Sequence, residues 1–250
     1  MKTQNWLFLR GLARESRHWG ELPSLFESLN SEVKVHFLDL PGAGKNNHMS
    51  SPLSIDKYTD KLRLEWFKLR AKFGGDWGIM AISMGGMIGM DWCSRFPHDF
   101  NSLVLINSSG SNLSPIYHRL SFEALGIIFQ LFLKEDLKER EKRILTLTTT
   151  LRPISEKLIE NYVLISKEIS FKRINFLRQI YAAARFKVPN KLEQKILLLA
   201  AKKDRLAHYK CTEALAKHLE APYFIHKSAG HDLPLDDPHW IIEKVESFFS

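Results

Sequence analysis

Only two cysteines, Cys93 and Cys211, occur in 250 residues, and neither stands in a metal-type spacing with a second cysteine or a histidine. That excludes a disulfide framework and predicts a reducing, cytoplasmic setting. Long apolar runs are also missing: none approaches the roughly 20 residues that cross a bilayer. The apolar core of the N-terminal stretch, Trp6 to Leu9, is too short for the hydrophobic region of a signal peptide. No internal repeat, linker or low-complexity segment occurs, so any insertion is expected to belong to one domain rather than form a separate module. Acidic residues are the remaining shortage, 28 Asp and Glu against 36 Lys and Arg, which leaves a formal net charge of +8.

Where the excess charge sits matters more than its total. Between Ser111 and Asn190 there are 14 basic and 8 acidic residues, a net of +6. From Phe171 to Asn190 five basic residues (Lys172, Arg173, Arg178, Arg185, Lys187) meet no acidic one. Such a stretch is either a solvated helix face or a docking patch for an anionic partner. A nucleic-acid partner is not expected, because no binding module and no regular interleaving of aromatics with the basic residues is present.

The composition, 44% hydrophobic and 26% charged, is that of an ordinary globular chain with enough length for a sizeable core. Apolar strand-like runs (Trp6 to Leu9, Val33 to Leu38, Asp76 to Ile82, Leu103 to Ile106, Ile196 to Ala200, Tyr223 to His226) alternate with helical patterns. The latter cover Trp19 to Leu29, Ile55 to Phe73, Met87 to Phe96, Cys211 to Leu219 and Trp240 to Phe249. That order predicts an α/β fold with a mostly parallel central sheet and helices on both faces. From Ser111 to about Val188 the pattern is helical throughout. The expected organisation is therefore a core of residues 1–110 and 191–250 with a helical cap, residues 111–190, inserted into it.

The run Gly78-Ile79-Met80-Ala81-Ile82-Ser83-Met84-Gly85-Gly86 carries the first chemical signal. A serine at a strand-to-helix turn sits in a cramped backbone conformation and needs small neighbours, here Ala81, Gly85 and Gly86. The pattern is that of the G-x-S-x-G nucleophile elbow with alanine at the first glycine. A small-residue helix start with a capping serine would look the same, so the rest of the chain has to decide. A nucleophilic serine needs a base, an orienting carboxylate and donors for an oxyanion. Asp204 follows the apolar run Ile196 to Ala200, at the strand edge where ligand-handling groups gather in a parallel sheet. His231 lies in Ser228-Ala229-Gly230-His231-Asp232, after the last strand.

Three other positions compete for the acid. Asp39 precedes the serine and is expected to buttress its own loop, the position after the strand Leu103 to Ile106 holds Asn107, and Asp232 would have to turn back onto its neighbour. The oxyanion donors expected are the backbone N–H groups of Met84 and of Leu12, in the Gly11-containing loop after the first strand.

With these residues the chain resembles the α/β-hydrolase fold superfamily of serine hydrolases. The likeness rests on Arg10-Gly11-Leu12 with Arg17-His18-Trp19, Asp39-Leu40-Pro41-Gly42-Ala43-Gly44, Ser83-Met84-Gly85-Gly86, Asp204-Arg205 and Gly230-His231, which span nearly the whole length. Members usually carry His-Gly at Arg10-Gly11 and often Gly-His-Gly at Gly42-Ala43-Gly44. The resemblance implies a carboxylic ester hydrolase, a serine esterase with a catalytic triad of Ser83, Asp204 and His231. It implies neither cofactor nor metal. In size, cap position and motif order the chain is similar to the pimeloyl-ACP methyl ester esterases, which implies an ester borne on an acidic acyl carrier protein docked at the basic cap. Two alternatives stay open: a C–C bond hydrolase of meta-cleavage products, which often has a Ser-Met-Gly-Gly elbow, and a non-catalytic ligand-binding member.

Other motifs are weaker. Gly42-Ala43-Gly44-Lys45 looks like a phosphate loop, but Asp39 stands at the first glycine position and Asn46 follows the lysine. Of the remaining histidines only His18 falls near the expected site. The apolar stretch Leu125 to Leu133 is expected either to line the pocket from the cap or simply to pack the cap onto the core.

Overall fold

The computed structural model describes residues 4–133, 136–169 and 172–249, with the side chains of 128–133 outside that description. Six strands form one sheet: β1 (Asn5–Leu9), β2 (Lys34–Phe37), β3 (Trp77–Ile82), β4 (Ser102–Ile106), β5 (Lys195–Ala201) and β6 (Tyr223–His226). Their order is β2-β1-β3-β4-β5-β6, and every neighbouring pair is parallel. A parallel sheet requires crossovers between strands and cover on both faces.

The helices provide both. In chain order they are α1 (Leu22–Ser28), α2 (Ile55–Phe73), α3 (Met84–Arg95), α4 (Ile116–Arg119), α5 (Phe122–Leu133), α6 (Leu137–Thr148), α7 (Glu156–Glu168), α8 (Arg173–Arg185), α9 (Lys210–Leu219), α10 (Leu233–Asp236) and α11 (Pro238–Phe249). Side chains of the central strands alternate between two cores, as the two-residue strand period dictates. Leu7, Leu9, Ile79, Ala81, Leu103 and Leu198 pack with Leu62 and Trp66 of α2, Trp92 of α3 and Leu215 of α9. Trp6, Phe8, Met80, Ile82, Val104 and Leu199 pack with Phe26 of α1 and Ile241 and Val245 of α11. Helices α4 to α8 all fall between β4 and β5, with no strand among the described residues there. Among the described residues no helix is long and apolar enough to cross a membrane.

Two local expectations change, and a third falls largely outside the described residues. The helix expected from Trp19 to Leu29 is two pieces, a 3-10 turn over Ser16–Trp19 and then α1, parted at Gly20 where φ is 60°. Helix α3 begins at Met84 rather than Met87, so two glycines of poor helix propensity lie inside it. Packing overrides propensity there, since a Cβ at Gly85 would lie 2.5 Å from the Leu9 carbonyl oxygen. The stretch from Leu125 to Leu133 is helical, in α5; Leu125 is 45% exposed, and what the side chains of 128–133 face lies outside the described residues.

Candidate active site

Ser83 lies between β3 and α3 with φ 57° and ψ −122°, a positive-φ conformation that costs a residue other than glycine about 1–3 kcal/mol. Neighbouring groups hold it there. Its N–H donates to the Ile106 carbonyl at 2.8 Å, and its own carbonyl accepts from the Gly86 N–H at 3.0 Å and the Ser108 hydroxyl at 2.9 Å. Gly11 comes close from the β1 side: a Cβ there would lie 2.9 Å from the Ser83 Cβ. Helix α3 starts immediately afterwards, so the positive end of its dipole faces the serine. In the β1 loop the Ala13 N–H is spent on the Gln179 side chain at 3.0 Å and the Arg14 N–H on the Gly11 carbonyl at 3.4 Å. Leu12 lies between Gly11 and Ala13 and, like Met84, lines the cavity beside Ser83.

Asp204 and His231 meet at the far edge of the sheet. Asp204 Oδ1 accepts the N–H groups of Leu206 and Ala207 at 2.7 and 2.9 Å, and Oδ2 lies 2.6 Å from His231 Nδ1. The carboxylate side chain is fully buried. Burial disfavours the His231 imidazolium, yet the facing Asp204 carboxylate, with Asp232 behind it, outweighs burial and the opposing Arg10. The pKa of His231 is accordingly raised above its ordinary 6.5.

The backbone around His231 is tied on two sides. Asn107, at φ 46°, donates from Nδ2 to the His231 carbonyl at 2.8 Å and accepts the Ala201 N–H on Oδ1 at 2.9 Å. The position that competed for the acid is therefore a brace between β4, β5 and the histidine loop. On the other side Asp236 accepts the N–H groups of Gly230 at 2.6 Å, Leu151 at 3.0 Å and Arg152 at 3.1 Å. The Asp232 N–H reaches the Thr148 carbonyl at 2.8 Å, so the end of α6 is bolted to the same loop.

Asp232 turns away from its neighbour and forms a bidentate pair with Arg10 at 3.0 and 2.9 Å. Arginine at this position is thus a buried, matched charge. Asp39 does buttress its loop: it accepts the N–H groups of Ser16 and Lys45 at 2.8 and 2.9 Å. Cys93 is fully buried in the core. His18 is buried beside the site, where desolvation and then the charges of Arg14 and Arg10 push its pKa well below 6.5 and keep it neutral.

Ser83 and His231 open onto one cavity of about 260 Å³, together with Gly11, Leu12, Met84 and Gly42. Helices α4 and α6 to α8 supply its apolar wall through Ile116, Ile144, Leu147, Ile165, Phe176 and Ile180. Among the described residues no side chain of α5 lines it, and the side chains of 128–133, in the most apolar run, lie outside that description.

The model of the family described as alpha/beta hydrolase fold matches residues 7–238. The chain belongs to that family. As an alpha/beta hydrolase it is similar to the biotin biosynthesis bifunctional protein BioHC of Teredinibacter turnerae, 32% identical over 101 residues that cover 40% of this chain and 16% of that protein. The chain therefore spans about a sixth of the length of that relative. Among solved structures, a bacterial membrane phospholipase A superposes with a TM-score of 0.79 at 20% identity, covering 99% of this chain and 79% of the other. The 2-hydroxy-6-oxo-6-phenylhexa-2,4-dienoate hydrolase of Rhodococcus gives 0.77 at 18% identity, covering 99% and 90%. At these identities both likenesses concern the fold.

Proposed function

We propose that this alpha/beta hydrolase is a serine hydrolase of carboxylic esters or thioesters, with Ser83 as nucleophile, His231 as general base and acid, and Asp204 as the orienting carboxylate. One observation carries the reading: a serine at a strained strand-to-helix turn shares a cavity with an imidazole whose Nδ1 is held 2.6 Å from a buried carboxylate. With Nδ1 so engaged, Nε2 of the neutral ring is the free acceptor for the serine proton.

Ser83 Oγ attacks the carbonyl carbon as His231 takes its proton. Asp204 holds the tautomer and stabilises the imidazolium that forms. The Leu12 and Met84 N–H groups receive the oxyanion. The leaving alcohol or thiol takes the proton from His231 and departs, leaving an acyl-enzyme. Water, deprotonated by the same imidazole, then attacks the acyl carbon, and the acid leaves as Ser83 recovers its proton.

In this reading residues 111–190 act as a cap, and the apolar wall from α6 to α8 favours an acyl group with methylene content. The 101-residue likeness to a biotin biosynthesis protein and the exposed Lys172, Arg185 and Lys187 support an acyl chain presented on an acidic carrier protein. Arg178 does not belong to that patch, because its Nε donates to the Ser51 carbonyl. The test is hydrolysis of p-nitrophenyl esters of graded chain length by wild type and by Ser83→Ala. Turnover by the wild type with a medium-chain optimum, lost in a folded Ser83→Ala protein, is expected. Equal turnover by both would overturn the assignment.

A further inference from the structure

Beside the loop that carries Leu12, the cavity has a polar corner. Glu141 of α6, 2% exposed, accepts Arg14 Nη1 on Oε2 at 2.8 Å and the Ser166 hydroxyl on Oε1 at 2.8 Å, and Arg140 Nη2 lies 3.5 Å from Oε1. Arg14, Arg140, Glu141 and Ser166 all line the cavity that holds Ser83. Only 10% of the Arg14 side chain is exposed, and among the described residues its Nη2 is buried without a hydrogen-bond partner. A buried guanidinium N–H left unmatched is costly, and an oxygen acceptor supplied by a ligand would remove that cost.

The other cations of the cavity are already occupied or exposed. Among the described residues Arg10 also has a buried Nε without a hydrogen-bond partner, but its charge is matched by the bidentate pair with Asp232. Arg119 donates to the carbonyls of Ala184 and Ala183 at 2.8 and 2.6 Å. In the polar corner two guanidinium groups face one carboxylate, which leaves one positive charge. A carboxylate balances it; a dianionic phosphate would overshoot. A carboxylate also fits the planar donor fork of arginine.

We propose that Arg14, with Arg140 beside it, is a carboxylate-binding subsite, and that the preferred substrates are esters whose acyl part carries a free carboxylate. This rests on the ester-hydrolase reading for its substrate, but the subsite can be tested without turnover. A charged hydrogen bond of this kind corresponds to a preference of about ten- to a hundredfold in kcat/KM.

The experiment compares p-nitrophenyl half-esters of succinate, adipate and suberate with p-nitrophenyl butyrate, hexanoate and octanoate. At least one half-ester should exceed its neutral partner by about tenfold or more. Arg14→Lys keeps a cation for Glu141 but removes the second donor, and it should bring that ratio to within about threefold of one. Arg140→Gln should lower it in the same direction. A wild-type ratio near one, or a ratio that survives Arg14→Lys, overturns the subsite even if all esters are hydrolysed; a purely structural arginine would lower both rates together. Should no ester turn over, calorimetry on Ser83→Ala protein decides. Octanoate binding more tightly than octanamide, with the difference removed by adding Arg14→Lys, upholds the subsite although the ester reading has failed. Equal binding, or none, overturns it.

Discussion

Arg10 and Asp232 face each other across 222 positions of sequence, joined by two hydrogen bonds of 3.0 and 2.9 Å, with 5% and 4% of their side chains exposed. The pair ties the loop after β1, which carries Gly11 and Leu12, to the residue after His231. Both halves of the proposed catalytic apparatus are thereby fixed in relation to each other. Asp232→Ala would strand a buried guanidinium and should lower stability by about 3–5 kcal/mol in denaturant unfolding. Replacing both residues with apolar ones of similar size should cost less than that single change, because no charge is left unmatched.

The raised pKa of His231 has opposite consequences for stability and for rate. The folded protein holds the imidazolium proton more tightly than the unfolded chain does. This contribution to stability is complete below about pH 6.5 and is lost as the pH rises through the folded-state pKa. The base must be neutral, so kcat/KM should climb with pH with a midpoint above 6.5. Asp204→Asn removes the carboxylate that sustains the imidazolium. It should move that midpoint down and reduce kcat by on the order of a thousandfold or more. A pH–rate profile of each protein checks both.

Asn107 joins β4 to the Ala201 N–H and to the His231 carbonyl through buried bonds of 2.9 and 2.8 Å. Asn107→Ala removes both and leaves two backbone groups unmatched, so unfolding should show a loss of about 2–4 kcal/mol. Because the His231 backbone loses its tie, kcat should fall while KM changes little.

What could be foreseen from the residues follows from the range of the forces involved. Strand and helix periodicity and the short Ser83 pattern are local, so the alternation of elements and the limits of α2 were legible. The places of Asp204 and His231 follow from where chain ends of parallel strands must lie. Arg10–Asp232, Arg14–Glu141 and Ala13–Gln179 join residues 222, 127 and 166 positions apart, and no spacing rule announces such partners. In the sequence Asn107 marks only a missing acid, since its amide acts through backbone groups that carry no sequence signature. For Leu125 to Leu133 hydrophobicity gives the tendency to be buried but not the surface that buries it; Leu125 stands 45% exposed, and the side chains of 128–133 lie outside the described residues.

If an acidic carrier presents the substrate, Arg185 and Lys187 are placed to meet it, both being exposed, Arg185 as the last residue of α8 and Lys187 just beyond it. Arg185→Glu with Lys187→Glu should raise KM for a carrier-borne ester about tenfold, more at low salt, and leave KM for a small ester within about twofold. Equal effects on the two substrates would remove the carrier from the account.

The central claim is that Ser83 is the nucleophile. Its most direct measurement is intact-protein and peptide mass spectrometry after exposure to a fluorophosphonate probe. One adduct is expected, on the peptide containing Ser83, absent from a folded Ser83→Ala protein and slowed by Asp204→Asn. An unlabelled but folded wild type, or equal labelling of Ser83→Ala, would contradict it.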